Sequence, residues 1–205
     1  HPYSAHERLV ATARAHPELW RLVFGLVLIT TLTFFLGSVL RTFLMLIVPD
    51  FVYSQMDATT GQGNTPASLL ILLFSFGLVA IAVFIVTRVV HLRQPIDLFG
   101  PLPLAVHQFW RVLRILLVLG VFLAVLPPYD MGEELVSNLD FGTWLILLPL
   151  SLTAVLVQVG AEEILFRGYL QQSLAARFSN PLIWLFVPAL IFGLGHYAPA
   201  EAGDN

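Results

Sequence analysis

Residues 22–48 read LVFGLVLITTLTFFLGSVLRTFLMLIV, an apolar run interrupted by a single charge, Arg41. A helix rises about 1.5 Å per residue and the hydrocarbon core of a bilayer is about 30 Å thick, so about 20 such residues cross it. This run exceeds that length. A secretory signal would have a shorter apolar region, of about 7–15 residues, and a small-residue cleavage site, which the exit Val48-Pro49-Asp50 does not supply. The run is therefore a spanning helix. The residues before it, from His1 to Trp20, mix His, Arg and Glu with apolar positions and read as an interfacial helix or a linker.

Outward from this span the same pattern recurs. Residues 50–65, rich in Gly, Thr, Asp and Gln, form a loop, and Pro66 suits the first turn of a second helix reaching about Val90. A third span fits 104–126, set between Gly100-Pro101-Leu102-Pro103 and Pro127-Pro128, both of which break helices. After the polar stretch 129–140, a fourth helix begins near Phe141 and continues through Glu162 and Glu163 to about Ala176; a fifth covers 181–196. The expected fold class is all-α, a polytopic transmembrane helical bundle of at least five spans. The expected layout is an N-terminal segment over 1–19 and an integral membrane domain over 20–205. Composition agrees: 58% of residues are hydrophobic and 11% charged, with a mean hydropathy of +0.84, whereas a soluble domain carries about a quarter charged residues.

All ten basic residues are arginine, and their placement sets an orientation. Arg8, Arg14 and Arg21 precede the first span; Arg88, Arg93, Arg111 and Arg114 surround the second connection; Arg167 and Arg177 lie towards the end of the fourth helix. The loops over 50–65 and 129–140 have none. By the positive-inside rule the N-terminus is expected in the cytoplasm, with Arg41 snorkelling from the far end of its span. A net charge of -3 without a basic block speaks against a nucleic-acid partner, and the lack of cysteine excludes thiolate catalysis.

Chemistry concentrates in the second half, at Ala161-Glu162-Glu163-Ile164-Leu165-Phe166-Arg167-Gly168-Tyr169-Leu170. An ionisable group at the bilayer centre costs at least about 2.5–3.5 kcal/mol, so two carboxylates and a guanidinium in a membrane-length helix mark a functional site. Glu163 and Arg167 stand four apart in the favourable order and neutralise each other on one face. Glu162 has no such partner one turn away, where Gln158, Val159, Leu165 and Phe166 lie. The next helix ends in Phe192-Gly193-Leu194-Gly195-His196. If the fourth and fifth helices form an antiparallel hairpin about Ser179, Glu162 and His196 lie at equal depth, each about 25 Å from the turn. Gly160, Ala161, Gly168, Gly193 and Gly195 would let these helices approach closely. Together the carboxylate and the imidazole can hydrolyse a peptide bond by activating water, with Glu162 as general base and His196 positioning the water or stabilising the oxyanion.

At these residues the sequence resembles the CPBP family of CAAX-protease and bacteriocin-processing membrane proteins, through Glu-Glu-x-x-x-Arg at 162–167 and Phe-x-x-x-His at 192–196. The resemblance covers about 141–196 and places the catalytic part at about 141–205. It implies an intramembrane endopeptidase in which Glu162 activates water and His196 assists, with Glu163, Arg167 and Phe192 in support. The family's third motif, His-x-x-x-Asn or His-x-x-x-Asp, does not occur in these 205 residues. The expectation is that the chain is a piece of a longer protein or that part of the oxyanion site is lost. The substrate implied is a membrane-anchored or prenylated protein or peptide, with membrane lipid as the surrounding partner. No cofactor is expected, although Glu162, Glu163 and His196 are candidate ligands for a divalent cation. Neither His-Glu-x-x-His nor a Gly-x-Ser motif is present, which sets zinc and serine proteases aside. Tyr129-Asp130 reads as a loop, and His91, His107, Glu133 and Glu134 as solvated or interfacial groups. Two other classes remain open at this point: a non-catalytic immunity or scaffold protein that keeps the motifs as packing, and a proton-coupled transporter.

Overall fold

The computed structural model describes residues 4–49, 53, 65–126 and 139–197, and among them there is no strand. Helix α1 (Ser4–Val10) and a 3-10 turn (Ala11–Ala15) lead into α2 (Leu19–Ile47). Helix α3 (Pro66–Val89) starts on a reciprocal cap. The Thr65 hydroxyl accepts from the Ser68 N–H at 3.2 Å, and Ser68 Oγ accepts from the Thr65 N–H at 3.0 Å. A second 3-10 turn (Pro95–Phe99) is followed by Gly100, whose φ of 67° lies where a side chain would be strained. Helix α4 (Leu102–Val125) follows.

Helix α5 (Phe141–Glu163) is capped by Asp140, whose carboxylate accepts from the Thr143 N–H at 3.0 Å. It runs without a break into a π-helical turn (Ile164–Leu170) and then α6 (Gln171–Arg177). After a short reversal, α7 (Pro181–Gly195) starts on Asn180, whose side-chain oxygen accepts from the Leu182 N–H at 3.0 Å. The expected fourth helix thus reaches Arg177, but in three segments of two helical kinds.

Four stretches are long and apolar enough to cross a membrane: Leu19–Ile47, Pro66–Val89, Leu102–Leu123 and Phe141–Arg177. Helix α7, expected as a fifth span, has 15 residues; at about 1.5 Å each it falls short of a hydrocarbon core of about 30 Å. The class is as expected, an all-helical polytopic bundle, with four such helices and one shorter apolar helix among the described residues. Their outer surface is largely apolar: Phe34 is 75% exposed, Leu46 80% and Val125 80%. Water would not tolerate so large an apolar surface on a monomer, but lipid does.

The core gathers at the end where α2 begins and α3 finishes. Leu22 and Ile29 of α2 meet Val83 and Val86 of α3, Tyr169 and Leu170 of the π turn, Leu174 of α6 and Trp184 of α7. Lipid supplies no hydrophobic drive between helices, so close contact depends on small residues. Gly77 lies against Val157, and Ala154 and Ala161 are fully buried. The N-terminal segment packs on this end, with Val10 and Ala13 buried and the His6 ring stacked on Trp184 at 4.3 Å. At the opposite end Arg41 Nε donates to Tyr53 Oη at 3.1 Å. Tyr129, Asp130, Glu133 and Glu134 lie outside the described residues.

Candidate active site

Glu162 sits in the last turn of α5, and the reversal over 178–180 returns the chain so that α7 delivers His196 beside it. His196 Nε2 lies 3.9 Å from Glu162 Oε1. The equal depth expected from the hairpin is therefore what the structure shows. The Glu162 side chain is 15% exposed and that of His196 55%. A carbonyl oxygen can only accept, so the 2.8 Å contact between His196 Nδ1 and Phe192 O makes Nδ1 the donor. That leaves Nε2 facing the carboxylate.

One expectation about Glu162 is corrected. It has a partner one turn back: Gln158 Nε2 donates to Glu162 Oε1 at 3.0 Å. An amide has no charge, so a search for opposite charges at helical spacing passes over it, but its N–H holds the carboxylate in one rotamer.

The supporting residues converge on Phe192. Glu163 and Arg167 pair at 3.4 Å, and the Arg167 guanidinium lies over the Phe192 ring, 5.4 Å from its centroid. Phe166 meets that ring edge-on at 5.1 Å and 87°, and the His196 ring is 4.2 Å from it. Phe192 is therefore the hub through which Arg167, Phe166 and His196 touch. Glu162, Glu163 and His196 do not form a joint ligand set, because Glu163 turns to Arg167. Among the described residues no group of three His, Asp or Glu side chains is placed to hold a metal ion.

The π turn begins directly after the two carboxylates, and nothing in Ile164 to Leu170 announces it. Such turns are rare and collect at functional sites. The same region corrects the reading of His91. It is only 4% exposed rather than solvated, shares a 2.8 Å hydrogen bond with Tyr169 Oη, and meets that ring edge-on at 5.2 Å. Burial above all, then the charges of Arg93 and Arg21, lower its pKa to about 4. His107 is exposed as expected, near Arg111 Nη2 at 3.3 Å.

Residues 143–202 match the family model of Type II CAAX prenyl endopeptidase Rce1-like proteins. The matched segment takes in Glu162, Glu163, Arg167, Phe192 and His196, and it is less than half of the chain. No curated protein and no solved structure matches the chain. With the four membrane-length helices, the match supports a protease embedded in a membrane.

Proposed function

We propose that this protein is an intramembrane endopeptidase that hydrolyses a peptide bond of a membrane-associated substrate with water activated by Glu162. The observation that carries this reading is the 3.9 Å approach of Glu162 Oε1 and His196 Nε2 across the hairpin. That gap is longer than a direct hydrogen bond, and it lets a water seated to one side reach both groups at about 2.8 Å. Glu162 takes a proton from that water as its oxygen attacks the scissile carbonyl carbon. When the C–N bond breaks, the same proton passes to the leaving nitrogen. His196, anchored through Nδ1 on Phe192 O, turns Nε2 towards the reacting carbonyl, where an Nε2–H would offer a hydrogen bond, without giving up its proton, to the oxygen on which negative charge develops. Arg167, paired with Glu163 and lying over Phe192, steadies the ring on which the imidazole rests. No covalent nucleophile takes part.

The family description names a prenyl endopeptidase, so we take a prenylated protein tail as the substrate class. An apolar tail suits the outer face of α7 beside His196, where Leu190 and Leu194 are 63% and 64% exposed. With the N-terminus in the cytoplasm, as the arginine distribution indicates, the site opens towards the cytoplasmic leaflet.

Cleavage of a panel of prenylated and unmodified peptides, by protein reconstituted in liposomes, tests this reading. The wild type should cleave prenylated members, and both Glu162→Gln and His196→Ala should abolish cleavage while keeping helicity and monodispersity. Equal cleavage of unmodified peptides would remove the prenyl assignment. Cleavage that survives Glu162→Gln would remove the mechanism.

A further inference from the structure

The π turn that follows Glu162 and Glu163 is tied to the rest of the fold by buried polar side chains rather than by apolar packing alone. Tyr169, 1% exposed, shares its hydroxyl with His91 Nε2 at 2.8 Å. Gln172, also 1% exposed, accepts from Arg93 Nη2 at 2.9 Å and donates through Nε2 to Leu98 O at 2.9 Å. The same Arg93 nitrogen donates to Thr12 Oγ1 at 2.9 Å, and Arg93 is 5% exposed. His91 and Arg93 point inwards from a tight turn in which the residue between them, Leu92, is 60% exposed and has a φ of 54°. That conformation is costly for leucine and persists only where surrounding contacts impose it. Gly168 adds a backbone approach: a Cβ there would stand 3.4 Å from Leu98 Cβ and 3.7 Å from Leu98 O.

These bonds join residues 74 to 81 positions apart in sequence. None of the side chains touches Glu162 or His196. Their effect on the site runs through geometry. A π turn closes its hydrogen bonds to the fifth residue back, which shifts the phase of every side chain beyond it. Taking one residue out of an α-helical ladder rotates the downstream residues by about 100°. A regular α-helix through 164–170 would carry Tyr169 and Gln172 away from their partners, leaving a hydroxyl, an imidazole and an amide unpaired and the buried Arg93 guanidinium with Thr12 in place of two acceptors. Leaving such groups unpaired is what makes one register far better than its neighbours.

We propose that Tyr169, Gln172, His91 and Arg93 are positioning residues that clamp the π turn and so set where Phe166 and Arg167 stand against Phe192 and His196. The link from clamp to catalysis rests on the protease reading above; the clamp itself does not.

The described chain lacks cysteine, so spin labels can be placed at Val159→Cys and Arg177→Cys, either side of the turn and both exposed. Pulsed electron resonance should give one narrow distance in the parent. Tyr169→Phe, which removes only the hydroxyl, and Gln172→Met should shift or broaden it. In the same variants without labels, kcat on a prenylated peptide should fall about tenfold or more, while KM changes little. An unchanged distance in folded variants overturns the clamp. A changed distance with unchanged kcat overturns its coupling to the site. If Gln172→Met does not fold, Tyr169→Phe decides. If the wild type cleaves nothing, the distances still judge the clamp, and that failure falls on the protease reading alone.

Discussion

Glu162 is held by a neutral partner, and that distinguishes it from Glu163, whose charge is met by Arg167. The Gln158 amide directs one carboxylate oxygen, the same Oε1 that faces His196. Gln158→Leu should therefore leave the fold intact and reduce kcat by about tenfold through lost orientation, with KM nearly constant; steady-state kinetics in proteoliposomes checks it. A second residue with a measurable signature is His91. Its pKa is lowered from 6.5 to about 4, chiefly by burial. Between those values the unfolded chain binds a proton that the folded chain does not, so stability falls as the pH falls through that window and is fully present above it. Melting temperatures measured from pH 7 to pH 4 should decline more steeply in the wild type than in His91→Gln. Equal slopes would mean that His91 is not protected from protonation.

At the scale of elements, the π turn reaches α2 through one side chain. Tyr169 passes over Gly25, and a Cβ at Gly25 would collide with the Tyr169 hydroxyl. Gly25→Ala should destabilise the protein by about 1–3 kcal/mol, and Tyr169→Phe in the same chain should recover part of that loss; a double-mutant cycle by thermal or denaturant unfolding measures it. Helical spans are legible in the sequence because lipid demands long apolar runs and Pro66, Pro101 and Pro127 punctuate them. The pairing of Glu162 with His196 is legible because a hairpin makes depth symmetric about its turn. The π turn is not legible, since the side chains of 164–170 suit an α-helix equally well and the turn is selected by partners far away in sequence. His91 escapes a reading of the sequence for the same reason: residue type suggests solvent, and only the fold brings Tyr169 to it. Helix α7 reads as a span because the run from Pro181 is almost wholly apolar, but its 15 residues rise about 1.5 Å each and fall short of a core of about 30 Å.

For the whole molecule, the core sits at one end together with Arg21, Arg93 and Arg177, whereas Arg41 lies at the other. Arg21 of α2 donates to Val90 O just after α3, the buried Arg93 holds the connection to α4, and Arg177 closes α6. That asymmetry predicts a topology. Single cysteines introduced as Gln94→Cys and Gln62→Cys should react with an impermeant maleimide from opposite sides of sealed vesicles, Gln94→Cys from the cytoplasmic side. Labelling of both from one side would contradict the four-span arrangement. The proposed mechanism depends on one carboxylate in an apolar bundle being the base that activates water. The most direct test is the kcat of Glu162→Gln against wild type on a prenylated peptide in proteoliposomes, with folding matched by circular dichroism. A loss of at least about a hundredfold is expected if Glu162 is that base; a variant that cleaves at the wild-type rate would show that it is not.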